Sequence, residues 1–253
     1  MGIDAQSILP NPTVPPRPEP ALPATMPASY REKIVIVVIA IVSDDIAAPA
    51  LIARWASTQD HAEIRPGRNA APSLLARAAL RALLARHTGR SDWQIVRNAL
   101  GKPFAIAPTG APGPAISLSH TAAMAAVALA DIGALGIDIE RHRPRDFAAL
   151  AAQAFGPAEQ AAVAASGAEA FYRIWTLREA VAKATGEGLA LAANGRDLVQ
   201  GGACEPYRRI AHAGRAWHLA HVPIAPDCSL AVAHADAPDA VWALRWSELG
   251  ARL

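Results

Sequence analysis

GIDIERHR, Gly136 to Arg143, alternates acidic and β-branched side chains before running into a pair of arginines. Successive strand residues point to opposite faces, so Asp138 and Glu140 would share one face and Ile137 and Ile139 the other. Two neighbouring carboxylates repel unless a cation or a proton lies between them. A hard cation such as Mg²⁺ accepts one or two carboxylates together with phosphate oxygens and water. The same spacing also fits a plain strand end entering solvent beside Arg141 and Arg143, and this stretch by itself leaves both readings open.

Further along, WTLREAVAKATGEG (Trp175 to Gly188) has helical spacing and puts Trp175, Glu179 and Lys183 on one stripe. Glu179 and Lys183 also fit a surface ion pair of roughly 0.3–0.5 kcal/mol. The tryptophan on the same stripe implies a partly buried face, where a charge pair needs a reason. Upstream, SLSHT (Ser117 to Thr121) offers hydroxyls and a histidine in a turn, groups that donate to phosphate. GKP (Gly101 to Pro103) is a common turn.

The chain has 253 residues, enough to bury a real core in one large domain or two small ones. Apolar residues make up 52% and charged residues 18%, and the formal net charge is +2. So small a charge does not point to nucleic acid, and no aromatic platform is interleaved with the arginines. Cys204 and Cys228 match no metal motif and make no disulfide framework, so a reducing cytoplasm is the expected compartment. The most apolar run, IVIVVIAIV (Ile34 to Val42), is far short of the about 20 residues a membrane helix needs. It reads as a buried strand, and no membrane association is expected.

Residues 1–30 are proline-rich and read as a disordered tail. Next come a strand over 33–43, a helix in APALIARWAST, a polar turn around RPGRN, and a longer helix in PSLLARAALRALLARHTG. Pro72 suits its first turn and Gly89 its end. WQIVRNALGKPFAI reads as strand, turn and strand. AISLSHTAAMAAVALA reads as two strands joined at SHT. After the strand ALGIDIE, three helices are expected, in RDFAALAAQAF, PAEQAAVAAS and AEAFYRIWTLREAVAKATG. Four short strands close the chain. The expected fold is α+β in two similar pseudo-symmetric halves, 31–131 and 132–253, each a small antiparallel sheet packed with helices.

GKP, SLSH, GIDIE and WTLREAVAKATGEGL occur in the order and approximate spacing of the 4′-phosphopantetheinyl transferases. The chain resembles the larger monomeric type with two fused halves, the surfactin-synthetase-activating type, over about residues 33–246. The resemblance implies transfer of the 4′-phosphopantetheine arm of coenzyme A to a serine of an apo acyl or peptidyl carrier protein, releasing 3′,5′-ADP. It implies Asp138, Glu140 and Glu179 as Mg²⁺ ligands, with Asp138, Glu179 and Lys183 carrying the chemistry. It implies Ser119 and His120 at the 3′-phosphate, Lys102 near the adenine and Lys183 near the transferring phosphate. Trp175 is expected to pack.

Two departures stand out. Arg178 replaces the lysine that many members have before the glutamate. Pro72 stands where members commonly have a coenzyme-binding arginine, for which Arg68 or Arg77 could substitute. A different class also fits the same fold: a non-catalytic module that binds carrier protein or coenzyme A.

Overall fold

A computed structural model describes residues 35–42, 48–64, 66–67, 70–122, 124–198, 207–222, 224–236, 238 and 240–245. The proline-rich tail and Arg68 lie outside the described residues. In chain order the elements are β1 (Val35–Val42), α1 (Ala48–Trp55), α2 (Thr58–Glu63), α3 (Ala70–Thr88), β2 (Gln94–Arg97), β3 (Pro103–Ile106), β4 (Ala115–His120) and β5 (Met124–Ala130). There follow β6 (Leu135–Arg141), α4 (Phe147–Ala154), α5 (Pro157–Thr185), α6 (Leu189–Ala192), β7 (Tyr207–His212), β8 (Arg215–His221), β9 (Cys228–His234) and β10 (Ala240–Arg245). The fold is α+β.

Contacts divide the chain into two units, Met1–Gly133 with Pro238–Leu253, and Ala134–Ala237. The sheet of the first unit has the order β10-β1-β5-β4. Its pairs are antiparallel except for β1 with β10, which run parallel. The last strand, read from the sequence as part of a half spanning 132–253, therefore belongs to the first unit. Its ladder partner is β1, some two hundred residues away, and strand order does not encode such pairing. α3 lays Leu75, Leu80, Leu83 and Leu84 on this sheet, and β5 is buried along its whole length. β2 and β3 form a separate two-stranded hairpin.

α2 interrupts what the sequence reads as the run from a helix into a polar turn. Ser57 caps it: its hydroxyl accepts from the Asp60 amide at 3.1 Å, and the Asp60 carboxylate accepts from the Ser57 amide at 2.9 Å. Those two bonds satisfy donors that a helix start leaves unpaired. A six-residue helix is too short for periodicity to reveal, and the same holds for α6.

The second unit is an antiparallel sheet of order β6-β9-β8-β7 covered by α5. α5 joins two of the expected helices and changes direction at Gly167, where φ is 59° and ψ is −132°. Only glycine enters that conformation without strain, so the chain turns there and continues. The C-terminal arm of α5 packs Leu177, Ala180, Val181 and Ala184 with Trp217, Leu219, Ala231 and Ala233 of the sheet.

The approach of α5 to β6 is unusually close at Gly136. A Cβ there would collide with the Ala180 carbonyl oxygen and crowd the Ala184 amide. Because both obstacles are backbone, a side chain at 136 can be accommodated only by moving the helix. Gly136→Ala is expected to cost about 3 kcal/mol or more, at the upper end of overpacking substitutions. Urea unfolding checks this: an unchanged midpoint would mean that α5 sits farther from β6.

Candidate active site

β6 presents Gly136, Asp138 and Glu140 on the face that α5 covers, as strand alternation requires. The opening ambiguity is resolved in geometry. Asp138 is only 4% exposed, so it is no strand end in solvent. Its Oδ1 accepts from Lys183 Nζ at 2.6 Å, a contact joining residues 45 apart in sequence. Lys183 and Glu179 stand one helical turn apart on α5, and both are half-buried. The two lines of side chains run in parallel: Ala180 and Ala184 over Gly136, Lys183 over Asp138, and Tyr172 over His142. The last pair stacks with ring centroids 4.6 Å apart.

The carboxylates feel one another. Burial, then the charge of Asp138, raises the Glu140 carboxyl from 4.5 to about 7, with Glu179 adding to the rise while Lys183 and Arg145 oppose it. Glu179 is raised too, by burial first and Asp138 second, with Lys183 again opposing. Among the described residues, no three His, Cys, Asp or Glu side chains are drawn together closely enough to hold a metal ion. The close partner of Asp138 is instead the Lys183 ammonium. In its chemistry the donor set nonetheless fits Mg²⁺: the candidate ligand atoms are all carboxylate oxygen, and Glu140 and Glu179 are half-buried beside the like charge of Asp138.

The remaining predicted residues lie in the first unit. Ser119 is buried in β4, and His120 ends that strand opposite Ala125, so it sits in the ladder and not in the turn read from SHT. Lys102 follows the β2–β3 turn, and burial lowers its pKa. Arg77 donates to Glu63 at 2.7 Å and to Asp60 at 3.4 Å. Arg81 donates to Asp60 at 2.7 Å and also to the Trp93 carbonyl and the Ser57 hydroxyl. Burial would raise Asp60, but hydrogen bonds from Arg81 and Ser57 outweigh it and hold the carboxyl at about 2. Trp175 packs as expected, stacked on Phe171 and tilted against Phe155.

Sequence reasoning missed the role of Arg178. Its guanidinium is fully buried, paired with Glu159 at 2.6 Å and lying over the Phe155 ring. It also donates to the Ala192 and Arg196 carbonyls and to Asn194 Oδ1, which ties residues 192–196 to the middle of α5. Glu159 in turn accepts from the Leu198 amide, and Asp197 caps the start of α5 by accepting from the Ala158 and Glu159 amides. A lysine has one point charge and could not supply this fork of donors. The available signal was the arginine itself, in the position where a lysine is common. His142 was also missed: it hydrogen-bonds Ser229, the register partner of Glu140, at 2.8 Å.

Residues 134–234 match the family model of the 4′-phosphopantetheinyl transferase superfamily. Two curated proteins named 4′-phosphopantetheinyl transferase AcpT, from Salmonella typhi and from Salmonella typhimurium (strain LT2), are each 43% identical to this chain over 75 residues. That stretch is 28% of this chain, and the chain spans 39% of the length of these relatives. The matched segment coincides with the unit that holds Asp138, Glu140, Glu179 and Lys183. The matches support a 4′-phosphopantetheinyl transferase relationship for that unit.

Removing one partner of a buried ion pair strands the other charge and costs about 3–5 kcal/mol. Arg178→Met is expected to lose about that much in urea unfolding, and Arg178→Met with Glu159→Gln to recover part of it. A double-variant loss equal to the sum of the two single-variant losses would show that the two residues are not coupled. A pH dependence follows as well. Glu140 has a higher carboxyl pKa folded than its ordinary 4.5, so the folded state favours its proton. Its stabilising effect is complete below pH 4.5 and is lost as pH rises through about 7. Glu140→Gln, which mimics the protonated acid, should therefore raise the melting temperature over wild type at about pH 8 in chelator but not at about pH 4. A difference that does not vary with pH would refute the shift.

Proposed function

We propose that the protein is a 4′-phosphopantetheinyl transferase of the larger, two-half monomeric type, acting in the cytoplasm on acyl or peptidyl carrier proteins. The observation that carries this reading is Lys183 on Asp138 beside two acids of raised pKa, within a segment matching the transferase superfamily. The carrier serine oxygen attacks the phosphorus bearing the pantetheine arm. A new P–O bond forms as the pyrophosphate bridge breaks, and 3′,5′-ADP leaves. Glu179 accepts the serine proton, directly or through a water, a role that its raised pKa favours. Asp138 orients the Lys183 ammonium toward the pyrophosphate, where it opposes the negative charge gathering on the leaving oxygens.

Asp138, Glu140 and Glu179 would hold Mg²⁺, which when bound supplies further positive charge at the pyrophosphate. Ser119 and His120 hold the 3′-phosphate, and Lys102 lies along the adenine end of the coenzyme. Arg77 or Arg68 adds a further contact, Arg77 only by sharing its guanidinium with Glu63.

Mixing the full chain with coenzyme A, Mg²⁺ and a panel of apo carriers gives the test. A mass gain of one phosphopantetheine arm on a carrier is expected, and no gain on any carrier would favour the non-catalytic module. Glu179→Gln keeps the shape of the side chain and removes its charge. Its turnover should fall at least about a hundredfold, as expected when a group acting on the transition state is lost. Its melting temperature should stay within a few degrees of wild type. Near-normal turnover would leave Glu179 without a part in the chemistry.

A further inference from the structure

The ladder of β6 with β9 runs one residue past Arg141, because the His142 amide donates to the Asp227 carbonyl at 2.7 Å. His142 therefore continues the alternation of Gly136, Asp138 and Glu140 and faces α5, where its ring stacks on Tyr172 at an interplanar angle of 10°. On this face the neighbours of Glu140 are Asp138 and His142 along the strand and Ser229 across the ladder. Ser229 is 6% exposed, and its hydroxyl shares a hydrogen bond of 2.8 Å with His142 Nε2. The imidazole is held from its other side. The buried Tyr172 accepts from the Arg143 amide at 3.0 Å and donates to the Arg143 carbonyl at 3.2 Å through its hydroxyl. Phe147 and Phe171 meet the same ring edge-on, with centroids 5.7 Å and 5.5 Å away. A ring pinned in this way gives His142 a fixed plane to lie on. Phenylalanine would stack there equally well, so the nitrogen directed at Ser229 is the feature that needs a reason.

A serine hydroxyl has one hydrogen to give and two lone pairs to receive with, and an ionised carboxylate only accepts. Where Nε2 carries the imidazole proton, it donates to Ser229 Oγ, and the hydroxyl hydrogen must point elsewhere. The side chain opposite is Glu140. Where Nδ1 carries the proton, the hydroxyl donates to the imidazole and shows Glu140 only lone pairs. The two tautomers therefore give Glu140 opposite neighbours. An ionised Glu140 next to Asp138 gains from a donor and loses beside further lone pairs, which selects the first.

We infer that His142 and Ser229 are positioning residues for Glu140: His142 Nε2–H donates to the Ser229 hydroxyl, and that hydroxyl donates to the Glu140 carboxylate and aims it at a divalent cation. The inference rests on the transferase reading, in which Glu140 is a Mg²⁺ ligand. Asp138 has its donor in Lys183, and Ser229 supplies one for Glu140. A carboxylate with one oxygen engaged offers the other in a set direction, which is how partners of metal ligands raise affinity. Tyr172 enters only as the surface that keeps the imidazole in plane.

Two measurements on the full chain test this. Long-range ¹H–¹⁵N NMR at about pH 8, where an imidazole is neutral, reads the His142 tautomer. The proton is expected on Nε2; a proton on Nδ1 overturns the proposal, because Ser229 would then give its hydrogen to the imidazole. In the second, Mn²⁺, which takes the same oxygen ligands as Mg²⁺, is titrated in the presence of coenzyme A and the free ion is counted by electron paramagnetic resonance. Ser229→Ala and His142→Phe, the latter keeping the stack, should each weaken Mn²⁺ binding about tenfold or more. The double variant should lose no more than either alone, since the two act in series. Glu140→Gln should weaken binding as well, and Ser229→Ala added to it should cost nothing further. Circular dichroism with a melting curve in chelator verifies folding, and Ser229→Ala alone serves if His142→Phe unfolds. Unchanged Mn²⁺ affinity in the variants overturns the proposal. So does an equal loss from Ser229→Ala when Glu140 is already Gln, which would place the effect elsewhere than on Glu140. A wild type that binds no Mn²⁺ and modifies no carrier overturns the transferase reading itself, an outcome separate from a wild type that binds Mn²⁺ and variants that bind it equally well.

Discussion

The contact of α5 with β6 across Gly136 sets the other distances in the second unit. With no Cβ in the way, the helix backbone comes down onto the strand, and Ala180 and Ala184 add nothing that would lift it. At that separation a lysine side chain from α5 reaches a buried aspartate on β6 in a hydrogen bond of 2.6 Å. One turn along, Glu179 enters the field of the same aspartate. The close approach also brings Tyr172 over His142, and the Tyr172 hydroxyl bonds the backbone of Arg143. The chain leaving the strand is thus fastened where it emerges.

Close approach fixes distance but not roll, and Arg178 supplies the roll. Neighbours on a helix point about 100° apart, so fixing Arg178 toward Glu159 and the Ala192–Arg196 segment directs Glu179 toward β6. The ion pair is surrounded by protein carbonyls and an aromatic face, which makes removal of either partner far more disruptive than loss of a surface pair. Two charge systems therefore occupy different sides of one helix. Arg178 is saturated with protein partners and structural. Lys183 stands among acids, where burial first and the charge of Asp138 second raise the Glu140 carboxyl to about 7.

The first unit treats its charges differently. Asp60 gathers Arg77, Arg81 and the capped start of α2 into one network, so Arg77, one of the two arginines read from sequence as a coenzyme contact, already serves the fold. The hairpin next to it keeps apolar side chains in solvent.

Much of this was legible in the sequence because it depends on local periodicity. Alternation in GIDIE put Asp138 and Glu140 on one face, the 3.6-residue period put Glu179 and Lys183 on one stripe, and motif order pointed to the transferases. Sequence alone determined the α+β class and pointed to the transferases over about residues 33–246, of which the family model matches 134–234. It could not show that Asp138 is buried under a lysine 45 residues away, that Arg178 is a buried anchor, or that β10 returns to β1. Those outcomes depend on the distance between elements far apart in the chain. That distance is set by close packing, here by the missing Cβ at position 136, and no local pattern records it.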